Sequence, residues 1–205
     1  MGRNGKPTRD KILAKSRELI FENGFAGTSI DLILERTQLT KGAFFYHFKT
    51  KADLALEVVN EFANTDLQEL DLALEQTETY VEDPRERLLQ FIQRFIDMFS
   101  GVEEPPSCLY ASVSNEQNQY SEEIKQIVRK TLLKWRQAFG IMIEEAAKQN
   151  PPTIPWDKDS LSDHFTVVME GAFTMSKALQ DPSVTFKQLT HLKHYFELLF
   201  PPIEK

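Results

Sequence analysis

One cysteine among 205 residues, Cys108, has no second thiol in the chain to pair with, so an intramolecular disulfide framework is excluded. Such a chain suits a reducing cytoplasm, where the protein is expected to reside. Long apolar runs are missing too, since no stretch approaches the roughly 18 residues that span a bilayer. There is no glycine-rich phosphate loop, no nucleophile elbow and no paired metal-ligand motif, so no enzymatic activity is expected. An all-α hydrolase would need a catalytic set of unfamiliar pattern. Convincing β-alternation and internal repeats are also lacking. Met1 to Thr8 is polar and basic and leads into an amphipathic segment, so it is not expected to be a signal peptide.

Hydrophobic residues make up 41% of the chain, ordinary for a globular protein long enough to bury a core unaided. The net charge of −7 argues against a nucleic-acid partner until its distribution is examined. Residues 1–51 hold ten Lys and Arg against five Asp and Glu, a surplus of +5. The other 154 residues hold fourteen against 26, a balance of −12. This asymmetry suits one segment that meets a polyanion and another that repels it.

Helical periodicity runs almost throughout, and the expected fold class is all-α. A first helix is expected from about Thr8 to Asn23, with Ile12, Leu13, Leu19 and Ile20 on its apolar stripe and Gly24 as its stop. Thr28-Ser29-Ile30-Asp31 opens a short helix to about Arg36, and another runs from Thr40 to about His47. Thr50, with Asp53 three positions on, caps a helix reaching past Leu70. Asp83-Pro84 starts the next, which ends before Gly101. After the Pro105-Pro106 break come a short helix from Cys108 and a long one from Ser121. The loop Asn150 to Pro155 precedes helices at about Ser160 to Gln180 and Thr185 to Leu199.

The informative stretch is Thr28 to Lys51. Two short helices flank the tight connection Thr37-Gln38-Leu39, a helix-turn-helix layout. Gly42 and Ala43 are small enough to bring the second helix close to DNA, and Lys41 can reach a guanine edge or a phosphate. Phe45, Tyr46 and His47 lie further along, whereas Phe44 and Phe48, four apart, are expected to face the core. His47 can equally pack beneath the helix. Lys49 and Lys51, with Arg9 and Lys11 from the first helix, are placed to neutralise phosphates.

Asp10-Lys11-Ile12-Leu13, Glu22-Asn23-Gly24-Phe25, Thr28-Ser29-Ile30, Thr40-Lys41-Gly42-Ala43 and Tyr46-His47-Phe48-Lys49-Thr50-Lys51-Ala52-Asp53-Leu54 carry a resemblance. About a quarter of the chain resembles the tetracycline-repressor (TetR) family of bacterial regulators. The resemblance implies a three-helix helix-turn-helix DNA-binding domain over residues 1–51 and a larger helical ligand-binding and dimerisation domain over 52–205. It places Ser29, Thr40, Lys41, Gly42, Ala43, Phe45, Tyr46, His47 and Lys51 at the DNA surface. Phe45 departs from the tyrosine frequent in the family, so apolar contact to a thymine methyl can replace a hydroxyl contact. The expected function is a homodimeric transcriptional repressor released from a palindromic operator by a small molecule. An activator, or an interaction module without DNA binding, is the alternative.

Phe91, Phe95, Phe99, Trp135, Phe139, Met142, Phe165, Met169 and Phe173 are the candidates to line an effector pocket. The same stripes are what a helical core requires, and a subset is expected to face a cavity. The effector itself is not identified, and no cofactor is expected. The last two helices are apolar on more than one face, so one side can pack on a twin, and the resemblance implies that these two helices form a four-helix dimer interface. Gly171, Ala172, Leu192, Tyr195, Phe196 and Leu199 are the interface candidates. Glu170 lies among apolar neighbours, and Glu57 and Glu61 read as solvated charges. Cys108 near a helix start is a candidate redox or electrophile sensor, with Glu103 and Glu104 opposing a thiolate. His191, His194 and His164 lack the companions a metal site needs, and no metal is expected.

Overall fold

The computed structural model describes residues 5–202, so the first four residues of the Met1 to Thr8 segment lie outside the described residues. Nine α-helices occur among the described residues. They are α1 (Lys6–Gly27), α2 (Ile30–Thr37), α3 (Lys41–His47), α4 (Lys51–Gln76), α5 (Pro84–Ser100), α6 (Leu109–Asn115), α7 (Glu122–Gln149), α8 (Lys158–Leu179) and α9 (Ser183–Leu199). Single 3-10 turns sit at Glu78–Tyr80 and Gln117–Gln119. No strand occurs among the described residues, and no helix there is long and apolar enough to cross a membrane.

Local chemistry sets most helix starts. Ser29 accepts from the Leu32 N–H at 3.1 Å, and Thr40 accepts from the Ala43 N–H at 3.2 Å. Thr50 and Asp53 form a reciprocal box, each side chain accepting the other's N–H at 3.0 Å. Asp83 accepts from Glu86 at 3.0 Å, with Pro84 in the first turn. α8 begins two residues before the expected Ser160, because the Asp157 carboxylate accepts the Ser160 N–H at 2.8 Å. The backbone of Gly24, at φ 72° and ψ 171°, interrupts α1 where a stop was expected.

The described residues form two compact units, 5–66 with 108–130, and 67–107 with 131–202. This division differs from the motif-based boundary at residue 51, because the first half of α4, all of α6 and the start of α7 join the first unit. In that unit α1 packs on α2, α3 and α6. Ile12, Leu13, Leu19, Ile33, Phe44 and Leu54 are buried there. In the second unit α9 packs against both α5 and α8 around a core of Phe91, Phe95, Trp135, Phe139, Phe165 and Phe196. Burying each such side chain contributes roughly 1.5–3 kcal/mol.

Candidate nucleic-acid interface

α3 is seated by its inner face. Phe44 and Phe48 are buried with ring centroids 5.9 Å apart, and Ile33 of α2 is buried as well. That anchoring turns the opposite face outward. Tyr46 is 80% exposed and Phe45 44%, and a Cβ built on Gly42 would meet nothing within 4 Å. Lys41 is exposed, its ammonium 3.7 Å from the carboxylate of exposed Asp31. An exposed pair of this kind contributes at most about 1 kcal/mol, so a phosphate can replace the carboxylate at little cost. The Ser29 and Thr40 hydroxyls accept cap bonds and keep their hydrogens to donate. Ala43 is half-buried.

Three basic or aromatic groups are engaged within the unit itself. His47 is half-buried, and a Cβ on Gly5 would lie 3.0 Å from its Cε1, so the ring packs beside the start of α1. Lys51 does not extend to the surface as a phosphate contact. Its ammonium donates to the Phe25 carbonyl and lies 4.0 Å from the centre of the Phe25 ring. Burial lowers its pKa, and the nearby Glu116 carboxylate offsets part of that shift. Arg9 is also engaged, donating to Glu57 at 2.7 Å with Glu61 at 3.8 Å, so those two acids are ion-pair partners and not merely solvated charges. Lys11 and Lys49 remain exposed.

Residues 12–58 match bacterial regulatory proteins of the tetR family, and residues 84–192 match the tetracyclin repressor-like C-terminal domain. The chain belongs to the TetR family. It is thus a helix-turn-helix transcriptional regulator. It is 23% identical over 198 residues to the transcriptional repressor DhaR of a Mycobacterium species, covering 97% of this chain and 95% of DhaR. A shorter likeness, 42% over 52 residues, links it to the regulator QacR of Staphylococcus aureus, covering 25% of this chain and 28% of QacR. A TetR regulator structure from Chloroflexus aurantiacus superimposes with a TM-score of 0.75 at 23% identity, covering 96% of this chain and 98% of that one.

In the second unit of this TetR-family chain, most of the pocket candidates are packed on one another. Phe91 lies 5.3 Å from Phe95, 5.8 Å from Phe139 and 5.5 Å from Phe165, and Trp135 stacks on Phe165 at 5.7 Å. These five rings form a core, because tight aromatic packing excludes the space a ligand needs. Phe99 and Phe173 meet edge to face at 5.3 Å, and half-buried Met169 packs against the core. Met142 lines a cavity of about 420 Å³ whose walls include Leu67, Leu70, Leu74, Ala138 and Ile141, with Arg87 and Lys134.

The interface candidates also divide. Ala172, Leu192, Phe196 and Leu199 are buried within the chain itself, because α5 and α8 cover both apolar sides of α9. They are not open to a twin. Gly171 is exposed and Tyr195 half-buried. The apolar surface that does face outward is Val167, Gly171, Met175 and Leu179 on α8, at steps of four, with Leu198 on α9 at 74% exposure. The four-residue spacing was available in the sequence. Glu170 is half-buried, and His164 packs edge-on to Tyr195 at 5.4 Å, where burial lowers its pKa. His191 and His194 are exposed with ring centroids 6.5 Å apart. Cys108 is half-buried at the start of α6.

Proposed function

We propose that the protein is a homodimeric repressor that grips a palindromic operator through α3 and releases it when a small molecule enters the second unit. The observation that carries this reading is the outward face of α3, where exposed Lys41, Gly42, Phe45 and Tyr46 stand over buried Phe44 and Phe48. Lys41 supplies charge, Gly42 close approach, and Phe45 and Tyr46 flat surfaces for base edges and sugars. The +5 surplus of residues 1–51 draws that face toward DNA while the remainder stays acidic. Dimerisation through exposed Val167, Met175, Leu179 and Leu198 would present two copies of α3 to successive turns of the duplex. The cavity beside Met142 is the preferred effector site, since an apolar wall with a few charged groups suits a small amphipathic ligand.

The test is selection of binding sites from random duplex DNA, with recovered sites rebound by wild type, Lys41→Ala and Tyr46→Ala. We expect a palindrome whose binding weakens about tenfold or more in each variant, a loss of roughly 1–3 kcal/mol. Recovery of no motif, with weak binding indifferent to both changes, would reject DNA reading and favour an interaction module.

A further inference from the structure

A carboxylate from outside the helix-turn-helix grips the turn that leads into it. Glu116 follows α6, 91 residues beyond Phe25, yet its Oε1 accepts the Phe25 N–H at 2.9 Å and its Oε2 accepts the Ala26 N–H at 2.8 Å. Ser112, one turn back on α6, donates to Oε1 at 3.1 Å and also lies 3.1 Å from the Tyr120 hydroxyl. The Tyr120 ring stacks on Phe25 with centroids 4.6 Å apart. From the other side, Lys51 donates to the Phe25 carbonyl. One short turn is thus held at its N–H groups by an anion and at its carbonyl by a cation.

The arrangement follows from Gly24. Its backbone breaks α1, which leaves the Phe25 and Ala26 N–H groups without helical acceptors. A bidentate carboxylate satisfies both at once, and charged hydrogen bonds of this type are among the stronger ones. The same turn delivers the chain into α2, because Thr28 donates to the Gly24 carbonyl at 2.8 Å and Ser29 caps α2 immediately after. Glu116 lies beyond residues 12–58, the stretch that matches the DNA-binding family.

We propose that Glu116 is a positioning residue for DNA reading, holding the α1–α2 turn, and through it α2 and α3, in the orientation that fits the operator. It touches no DNA. The inference rests on the DNA-reading function proposed above. Burial disfavours the Glu116 charge, but the Ala26 and Phe25 N–H groups, Ser112 and Lys51 outweigh it and hold the carboxyl below its ordinary value. The group is therefore charged at neutral pH.

The test compares wild type, Glu116→Gln and Glu116→Asp as full-length chains on the selected duplex, with thermal melting and hydrogen exchange of the segment holding Phe25 and Ala26. Charge alone predicts that Glu116→Gln binds DNA more tightly, since it removes a negative charge from the unit that meets a polyanion. Positioning predicts the reverse, with specific affinity about tenfold weaker, faster exchange at Phe25 and Ala26, and non-specific binding retained. Glu116→Asp keeps the charge but withdraws it by one carbon, and falls between the two. Specific affinity unchanged or improved in Glu116→Gln, in a protein still folded at the assay temperature, overturns the proposal. If both variants melt below that temperature, the role is structural and the proposal also falls. A wild type that selects no motif would instead remove the DNA-reading function on which it rests.

Discussion

Gly24 shows how much one residue can decide. Its φ of 72° with ψ of 171° is a conformation that side-chain-bearing residues avoid, and a Cβ there would lie 2.7 Å from Glu116 Oε1. The glycine both ends the regular part of α1 and makes room for the carboxylate that satisfies the turn. Glu116 gives this a pH signature. Because its folded pKa lies below the ordinary 4.5, an unfolded chain takes up the proton first as pH falls. The stability it provides is complete above the unfolded value and is lost as pH drops through the lower, folded one. Urea melts between about pH 6 and 3 should show wild type losing more stability on acidification than Glu116→Gln, which has no proton to gain. Parallel curves would mean the carboxylate is not held as described.

At the scale of elements, α7 and α8 approach each other closely around Gly140. Arg136 forks onto Asp163 at 2.7 and 2.6 Å, and a Cβ on Gly140 would meet Ser162 Oγ at 2.6 Å. That hydroxyl is itself committed, donating to the Lys158 carbonyl at 2.6 Å. Gly140→Ala gains about 1 kcal/mol of helix propensity but forces a backbone shift or an unpaired buried hydroxyl. We expect a net loss of roughly 1–3 kcal/mol, read as a lower melting temperature by circular dichroism. A raised melting temperature would mean the two helices separate at little cost. The helix starts were legible in sequence because caps act within three residues, as Ser29, Thr40, Thr50 and Asp83 do. Lys51 and Glu116 were not. Their partners lie 26 and 91 residues away, and no local pattern marks a side chain that turns inward. The two apolar sides of α9 were legible as a fact but not by destination, since periodicity cannot say whether a stripe meets α5 or a second copy. Likewise the aromatic stripes of α5 and α7 signal burial without saying whether the rings leave space between them.

Across the whole molecule, charge and apolar surface are segregated. The +5 of residues 1–51 and the −12 of the remainder direct polyanions to one segment, while α8 and α9 expose the apolar side chains Val167, Met175, Leu179 and Leu198. Leu179 and Leu198 are 60% and 74% exposed, so glutamate at both positions leaves the core intact while opposing association. Light scattering should find the wild type at twice 23.7 kDa and the Leu179→Glu, Leu198→Glu protein at that mass once, with its hold on the full palindrome lost. A wild type that stays single at all concentrations would refute the dimer. The make-up of the first unit also has an evolutionary side. Residues 108–130 belong with residues 5–66, so the reader is encoded in two separated stretches of the gene. A crossover near codon 51 that attaches a foreign second half would strand Phe25 and Ala26 without Glu116 and Tyr120. Recombination of this gene thus has two seams to respect, and offspring that inherit only the first piece receive the motif without its brace.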